Sequence, residues 1–339
     1  MPSSTSHSSQ TPQARILGLL LAALLALAGS AYYSLRLNPE IGFLVQTRAV
    51  QDTWARQIRT RYGSNIVVAA GSSGGFSING QALDEEAQLP VTNRGLNAGL
   101  GARVIILYAL DDLHAGDTLV LALEPVLFSQ PVDLPAPGVQ FSLATGHSDW
   151  VFSPPLGCRP AGVASAMLAL RPGAPHVFLL FTRMAFRQPL YHYSVANLAP
   201  SGRMRTSVRL PLAGLAASDL RLTAESRRLL RALRAHCDAH GVRIVYSLPW
   251  GYTPAERVDE LRRANLNFLL QLIEIIPVLK DPLLGANPAA NDFSDNNWHL
   301  TEAASARRTG ELAAQLKEWR LWSTDELRRL ASATTLATP

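Results

Sequence analysis

Two distant stretches of the sequence have side chains that could together perform acyl transfer. Near the C-terminus, Asp295 precedes His299 by four residues, and an apolar, alanine-rich pattern begins just after them. Far upstream, an apolar run ends in Gly-Ser-Ser-Gly-Gly at residues 71–75. A serine hydroxyl is a weak nucleophile unless a base takes its proton, and the base needs an acid to orient it. The two stretches would supply all three groups if the fold brought them together.

Each stretch also has a structural interpretation. A glycine-rich turn is often only flexible, and Asp295 could close a turn with Ser294. Phosphate binding is not favoured, because neither G-x-G-x-x-G nor the P-loop Gly-Lys-Ser/Thr occurs. His236 and His240 are four residues apart on a predicted helix, but no third metal ligand is indicated. The sequence therefore predicts neither a metal nor an organic cofactor.

Short apolar runs alternate with amphipathic segments along most of the chain, which predicts an α/β fold with a parallel sheet covered on both faces. Active sites in such folds form where strands end and helices begin. Residues 130–212 are rich in Pro and Gly without clear periodicity, and we expect an insertion there with some β structure. The predicted strands are 65–70, 89–96, 118–123, 242–248 and 273–278, and the predicted helices are 49–61, 99–113, 217–240, 254–270 and one that begins at Thr301.

One apolar stretch near the N-terminus is long enough to cross a membrane. Residues 16–35 contain no charge and lie between Arg15 and Arg36. At ~1.5 Å per residue, a helix of this length spans a bilayer core of roughly 30 Å. Tyr32 and Tyr33 would lie at the membrane interface, where aromatic side chains are common.

The sequence thus predicts a transmembrane signal anchor over 15–36, preceded by a disordered segment, 1–14, and followed by an exported domain, 37–339. The alternative is a signal peptide that is cleaved near the small residues 28–31. The anchor is favoured because the core of a usual signal peptide is shorter than this apolar run.

The remaining composition is that of a globular chain, with 17% charged residues and a net charge of +5. No nucleic-acid partner is predicted. The basic run at 203–209 is either a solvated loop or a surface for anionic lipid or polymer. In an oxidising compartment Cys158 and Cys237 could pair, and two free thiols are equally plausible.

The order of these blocks resembles the SGNH (GDSL-like) hydrolase and acyltransferase superfamily across about residues 64–315. That superfamily has a serine just after its first strand, as in Gly71-Ser72-Ser73, and a glycine in a second block similar to residues 93–99. It ends with an Asp and a His before a final helix, like Asp295 and His299. The Gly-Ser-Ser variant and the anchored layout look like the branch with the D-alanyl-lipoteichoic acid transfer and alginate O-acetylation proteins, which act on cell-surface polymers outside the membrane.

The resemblance implies a three-layer αβα, flavodoxin-like domain over 37–339, with an insertion at about 130–212. It implies Ser73 as nucleophile, His299 as general base and Asp295 as the acid that orients it. Ser72 is an alternative nucleophile. Asn296 is a weaker alternative for the orienting role, because the Asp–His spacing of four exceeds the commoner three.

The resemblance also implies that the amide of Ser73 and that of Gly95 or Gly99 stabilise the oxyanion, by roughly 3 kcal/mol per donor. A second departure from the family pattern lies after the third strand. The third strand ends at Glu124, where the family usually has an asparagine that donates to the oxyanion. An ionised Glu124 cannot donate, so it binds substrate, is protonated or is structural.

The predicted function is a membrane-anchored esterase or O-acyltransferase of the cell inner membrane, with its catalytic domain on the periplasmic side. Its expected substrate is a surface polysaccharide or a related polymer, and a membrane-bound acyl-donor protein is the expected partner for transfer. The alternative is a catalytically inactive protein of the same fold that binds glycan or assembles an export complex. A weaker third interpretation is an anchored scaffold whose arginines bind lipid headgroups.

Overall fold

The N-terminal apolar stretch forms a single long helix. The computed structural model describes residues 12–172, 174–216 and 220–336. Helix α1, Pro12–Tyr32, continues into a π-helical turn at Tyr33–Leu37. Together they make one helix of 26 residues whose most apolar 18-residue stretch has a mean hydropathy of 2.0, which suits a single membrane span or a signal sequence. The predicted disordered segment, 1–14, lies outside the described residues except for 12–14, which open α1.

Helix α2, Pro39–Tyr62, begins one residue after the π-helical turn and ten residues earlier than the predicted helix at 49–61. The early start has a local cause. Asn38 is the N-cap, and its side chain accepts a hydrogen bond from the Glu40 amide at 3.1 Å. Pro39 suits the first helical position, where no amide donor is needed. Asn38 also donates to Gln140 at 3.1 Å, so the junction between the two helices is packed.

A four-stranded parallel sheet forms the centre of the domain and confirms the predicted α/β class. Its strand order is β2-β1-β3-β4, where β1 is Ile66–Ala70, β2 Val91–Asn93, β3 Thr118–Ala122 and β4 Arg243–Tyr246. Ala70 lies opposite Ala122 at the carboxyl ends of β1 and β3. Because all strands are parallel, the loops that follow them meet at one edge of the sheet.

Helices connect the strands and cover the sheet. One of them begins at Ala224 because Thr223 caps it, accepting from the Ser226 amide at 3.1 Å. It was predicted from 217, and residues 217–219 lie outside the described residues. Besides α1 and α2, the α-helices of the described ranges are α3 Ser72–Ser77, α4 Gly80–Glu85, α5 Gly101–Leu110, α6 Val126–Ser129, α7 Ala136–Ala144, α8 Ser148–Phe152, α9 Val163–Ala169, α10 Ala174–Ala185, α11 Ala224–Ala239, α12 Val258–Leu272, α13 Glu302–Glu318 and α14 Thr324–Leu336.

Both faces of the sheet are buried, which explains why its strands are apolar without alternation. On one face, Val67 and Leu119 pack with apolar side chains of α5, α11 and α12. On the other face, Val68 and Val120 pack with Leu312 and neighbouring residues of α13. Helices therefore lie on both sides of the sheet, as the sequence predicts.

The predicted fifth strand, 273–278, is wrong. Only Val278 joins the sheet, through a single parallel bridge to Tyr246. Pro277, immediately before Val278, has no amide to donate to a strand ladder, which limits pairing at this point. The chain instead forms a second, two-stranded parallel pair from β5, Gly251–Tyr252, and β6, Ala286–Asn287.

The predicted β structure of the insertion is also wrong. Residues 130–212 contain the helices α7 to α10, and their β pairing within the described ranges is one antiparallel bridge between Leu198 and Met204. Most of the Pro and Gly residues of this region lie between short helices rather than between strands. Both cysteines are free thiols, Cys237 buried and Cys158 half-buried.

The basic run at 203–209 divides into two parts. Arg203 is buried, forms an ion pair with Glu302 and donates to Ser305 at 3.1 Å. It therefore ties the insertion to α13 and is not part of a lipid-binding surface. Arg205 and Arg209 are exposed.

Candidate active site

The turn after β1 presents two serines in different directions. Gly71 leads from the strand into α3, and a Cβ at this position would lie 2.6 Å from a carboxylate oxygen of Glu124. Only glycine therefore fits here without displacing Glu124. Ser72, the first residue of α3, is half-buried and lines a cavity, whereas Ser73 is completely buried at 0% exposure.

Glu124 lies beneath this turn, after the end of β3. Its Oε1 accepts a hydrogen bond from the Ser73 amide at 3.2 Å, and only 2% of the residue is exposed. Ser73 Oγ and Glu124 Oε2 are both buried without a hydrogen bond of normal geometry to any described residue. Burial raises the pKa of Glu124, and the hydrogen-bonding groups of Ser73 oppose this increase only in part.

Asp295 and His299 form the predicted pair. Asp295 Oδ1 lies 2.8 Å from His299 Nδ1, and both side chains are almost fully buried. A tight loop sets this distance, since the Ser294 amide donates to the His299 carbonyl at 2.9 Å. Asn296 Oδ1 stabilises the loop by accepting from the His299 amide at 3.0 Å. An acid on Nδ1 leaves Nε2 as the nitrogen that can accept a proton.

Asn296, the alternative orienting residue, lies across the same ring. Its side-chain nitrogen is 3.0 Å from both ring nitrogens of His299. The stronger hydrogen bond of His299 is the one that the ionised carboxylate of Asp295 accepts, because charge strengthens a hydrogen bond. Asn296 mainly shapes the loop that holds the histidine.

Tyr193 is a member of the site that the sequence analysis did not identify. Its hydroxyl donates to Asp295 Oδ2 at 2.7 Å and lies 3.2 Å from His299 Nδ1. Phe76 of α3 stacks on the imidazole, with ring centroids 3.9 Å apart. Tyr193 lies in the insertion, where the sequence has no periodic pattern that would single it out.

The pKa of Asp295 reflects these contacts. Burial alone would raise it, but the hydrogen bond and charge of His299 and the hydrogen bond from Tyr193 outweigh that effect and lower the pKa of Asp295 to about 2. Asp295 therefore remains ionised at neutral pH, as an acid that orients a catalytic histidine must.

A cavity of about 270 Å³ connects the histidine with the serine turn. Ser72, Asn97 and His299 line it together with other side chains, which include Glu40, Phe43, Leu44, Tyr191, His192, Tyr193 and Asn296. Ser73 does not line it. Among the described residues, neither serine hydroxyl is hydrogen-bonded to His299. Ser72 and His299 nevertheless border the same cavity.

The amides expected to stabilise an oxyanion are already bonded within the protein. Gly95 donates to Asn93 Oδ1 at 2.9 Å, and Gly99 donates to Asn97 Oδ1 at 2.7 Å. The Ser73 amide is bonded to Glu124. The side-chain nitrogen of Asn97, which also lines the cavity, is likewise bonded within the protein, to Glu40 Oε1 at 3.0 Å.

Substitution of the two glycines should show which of them is required for packing. A Cβ on Gly95 would lie 2.3 Å from the nitrogen of Gly75, which is backbone and cannot move aside. We expect Gly95→Ala to lower the free energy of unfolding by about 3 kcal/mol, as overpacking does. Gly99 is exposed, so Gly99→Ala should stay within about 0.5 kcal/mol of wild type. Urea unfolding of both variants measures this, and equal losses would contradict it.

Glu124→Gln should make the protein less sensitive to alkaline pH. Because the folded pKa of Glu124 is raised above its usual 4.5, wild-type stability falls as the pH rises beyond that value. Glutamine keeps an oxygen for the Ser73 amide without a buried charge. At pH 8 we expect Glu124→Gln to be at least as stable as wild type, with the difference disappearing toward pH 4.5.

Glu124→Ala, which removes the acceptor, should instead lower the free energy of unfolding by about 1–3 kcal/mol. Urea unfolding across this pH range measures both variants, and a glutamine variant less stable than wild type at pH 8 would contradict the prediction.

The described residues contain no group of three or more His, Cys, Asp or Glu side chains that could hold a metal ion. No model of a known protein family matches the chain, and no curated protein matches it in sequence. The site is therefore interpreted from its own geometry: an ionised acid on a histidine, both beside a cavity that an accessible serine lines.

Proposed function

We propose that the chain is a membrane-anchored esterase or O-acyltransferase of the SGNH type that works through an acyl-serine. The observation that supports this most directly is the Asp295–His299 pair at a cavity lined by Ser72. The sheet order supports a flavodoxin-like domain, because Val278 adds a fifth position beside β4 in the order 2-1-3-4-5.

The cavity favours Ser72 over Ser73 as the nucleophile. In the proposed first step, the Ser72 oxygen bonds to the carbonyl carbon of an ester while its proton passes to His299 Nε2. The ester bond then breaks, and the same proton goes to the departing alcohol. In the second step, water or an acceptor hydroxyl gives its proton to His299 and takes the acyl group, which restores the Ser72 hydroxyl. Asp295 holds the imidazole and stabilises its positive charge throughout.

The proposed location is the cell inner membrane, with residues 16–35 in the bilayer and the domain on the periplasmic side. Retention of the N-terminal helix is favoured because Ser30 and Ser34 both donate hydrogen bonds to the Leu170 carbonyl of the folded domain. Cleavage near 28–31 would remove one of these contacts. The proposed acceptor is a surface polysaccharide or related polymer, and a membrane-bound acyl-donor protein would supply the acyl group.

The proposal is tested by trapping the acyl-enzyme. Full-length protein in lipid nanodiscs is mixed with p-nitrophenyl acetate, and the reaction is stopped with acid. The protein is then digested, and the masses of its peptides are measured by mass spectrometry. The expected result is one acetyl group on the peptide that contains Ser72, and none in His299→Ala. Folded wild-type protein that neither releases nitrophenol nor becomes acetylated would contradict the proposal.

A second candidate, a non-catalytic glycan-binding protein, is favoured by one observation. The three amides expected in the oxyanion hole are all bonded to side chains of the protein itself. Glycan binding that is unchanged in Ser72→Ala and His299→Ala, without any acetylation of the wild type, would support this candidate instead.

A further inference from the structure

The insertion exposes a cluster of large apolar side chains. Most exposed large apolar residues after Leu37 in the described ranges lie between 163 and 190. On α9, Val163 is 70% exposed, and on α10 Phe178 is 74% exposed. We call the segment that carries them the apolar hairpin. It runs from α9 through α10 to the residue after α10, and its exposed side chains are Val163, Met167, Leu168, Phe178, Leu179, Phe181, Met184 and Phe186. Clusters of this kind on a soluble surface usually mark a binding site.

The apolar hairpin lies directly beside the N-terminal apolar helix. Ser30 Oγ and Ser34 Oγ are 3.0 Å and 2.7 Å from the carbonyl oxygen of Leu170, which follows α9. A cavity of about 360 Å³ between α1 and α10 is lined by Ala26 and Gly29 on one side and by Phe181, Met184 and other residues of α10 on the other. The hairpin is therefore at the same level as residues 26–34.

This level decides what the apolar hairpin contacts. A span needs about 20 residues to cross the hydrocarbon core, so residues 26–34 of the 16–35 stretch lie in the half nearer the folded domain. A segment packed against them is at the same depth and meets acyl chains. Helical backbone is acceptable there, because its amides and carbonyls bond to each other, and the Leu170 carbonyl in the turn after α9 is bonded to Ser30 and Ser34. Arg171 and Arg187 are exposed near this segment, and long side chains of this kind can carry their charge to headgroups.

We propose that the apolar hairpin is a second membrane contact, immersed in the lipid leaflet next to α1. Its occupant is bilayer lipid, because continuity with the span brings lipid to this surface without any partner protein. The hairpin would then fix the tilt of the domain on the membrane, which a single helix cannot do alone. The inference rests on α1 being the proposed anchor, and the experiment tests that assumption separately.

The test uses full-length protein in nanodiscs made of phosphatidylethanolamine and phosphatidylglycerol, with no other protein present. Cys158→Ser and Cys237→Ala remove the native thiols. Single cysteines replace Phe178 or Phe181, and each is labelled with a polarity-sensitive fluorophore. Leu24→Cys reports on the anchor. Ala239→Cys is the control, since it is exposed at the end of α11, just before β4 and hence at the sheet edge opposite the site.

Lipids with a nitroxide on the acyl chain then quench the fluorophores that touch hydrocarbon. The probes at 178 and 181 should be quenched within about twofold of the Leu24 probe, and the control should be unaffected. If the Leu24 probe is quenched and those at 178 and 181 are not, the proposal is overturned and the hairpin is left for a protein partner. An unquenched Leu24 probe would overturn both the anchor and this inference.

A second variant guards against indirect effects. Phe178→Asp with Phe181→Asp should abolish the quenching of a probe at Leu168, while the quenching at Leu24 and the circular dichroism spectrum stay as in wild type. Unchanged quenching at Leu168 would show that the probes report adsorption rather than immersion, and it would overturn the proposal.

Discussion

Ser72→Ala is expected to abolish covalent labelling of the full-length protein by a fluorophosphonate, whereas Ser73→Ala should leave most of it. The reason is geometric. Ser72 lines the cavity that His299 borders, while Ser73 is fully buried against Glu124. Loss of the nucleophile should lower the rate of ester hydrolysis by roughly 10³-fold or more, since little except binding remains to catalyse the reaction. Intact mass after labelling, with hydrolysis measured in parallel, gives both results.

Ser73→Ala is the matched control because it removes the same hydroxyl group from the neighbouring residue. Urea unfolding of both variants should show that neither has lost its fold. Labelling that disappears in Ser73→Ala and persists in Ser72→Ala would assign the nucleophile as the family resemblance does. It would also mean that α3 turns when substrate binds. Labelling that persists in both variants would exclude this turn as the source of the nucleophile.

Asp295→Asn is expected to lower the rate of ester hydrolysis by about 10⁴-fold, because an amide can hold the imidazole in the wrong tautomer and cannot stabilise its charge. Tyr193→Phe is the milder control. It removes the hydrogen bond to Asp295 Oδ2 but leaves the carboxylate on His299, so we expect a loss of only about tenfold, equivalent to one charged hydrogen bond. Steady-state hydrolysis of an activated acetate ester measures both rates. Equal losses in the two variants would contradict the role given to the carboxylate.

Asp295→Asn should also change how the stability of the protein depends on pH. The pKa of Asp295 is lowered from its usual 3.8 to about 2, so its contribution is complete above the usual value and is lost as the pH falls toward 2. The difference amounts to about 2 kcal/mol. Urea unfolding should therefore show Asp295→Asn less stable than wild type at pH 7, with the gap closing below pH 4. A gap that is constant from pH 7 to pH 3 would show that the carboxylate charge is not involved.

The sequence predicted those parts of the site that depend on local spacing. Asp295 and His299 are four residues apart, and one tight loop brings them together. The choice between Ser72 and Ser73 could not be made in this way. Adjacent residues of a helix point about 100° apart, so the direction of each hydroxyl depends on where α3 begins. Tyr193 lies 102 residues from Asp295, and only the folded insertion brings the two together.

The fold shows the same division between local and distant effects. Apolar runs without alternation correctly indicated β1, β3 and β4, because parallel strands with two buried faces leave that pattern. The run at 273–278 has the same composition but contains Pro277, and only Val278 pairs with the sheet. In the insertion, Pro and Gly marked breaks in the chain without showing that the segments between them are helical.

The one-residue junction at Asn38 has a consequence for how the protein meets its substrate. Glu40, Phe43 and Leu44 line the cavity and lie in the first six residues of α2, which places them within about 8 Å of Pro39 along its axis. No flexible tether lengthens that reach. With α1 in a bilayer, an enzyme of the proposed kind would search for its substrate in two dimensions. Its turnover would then depend on how many acyl donors and acceptors occupy each unit of membrane area, and a polymer becomes reachable only while a part of it is held at the bilayer surface.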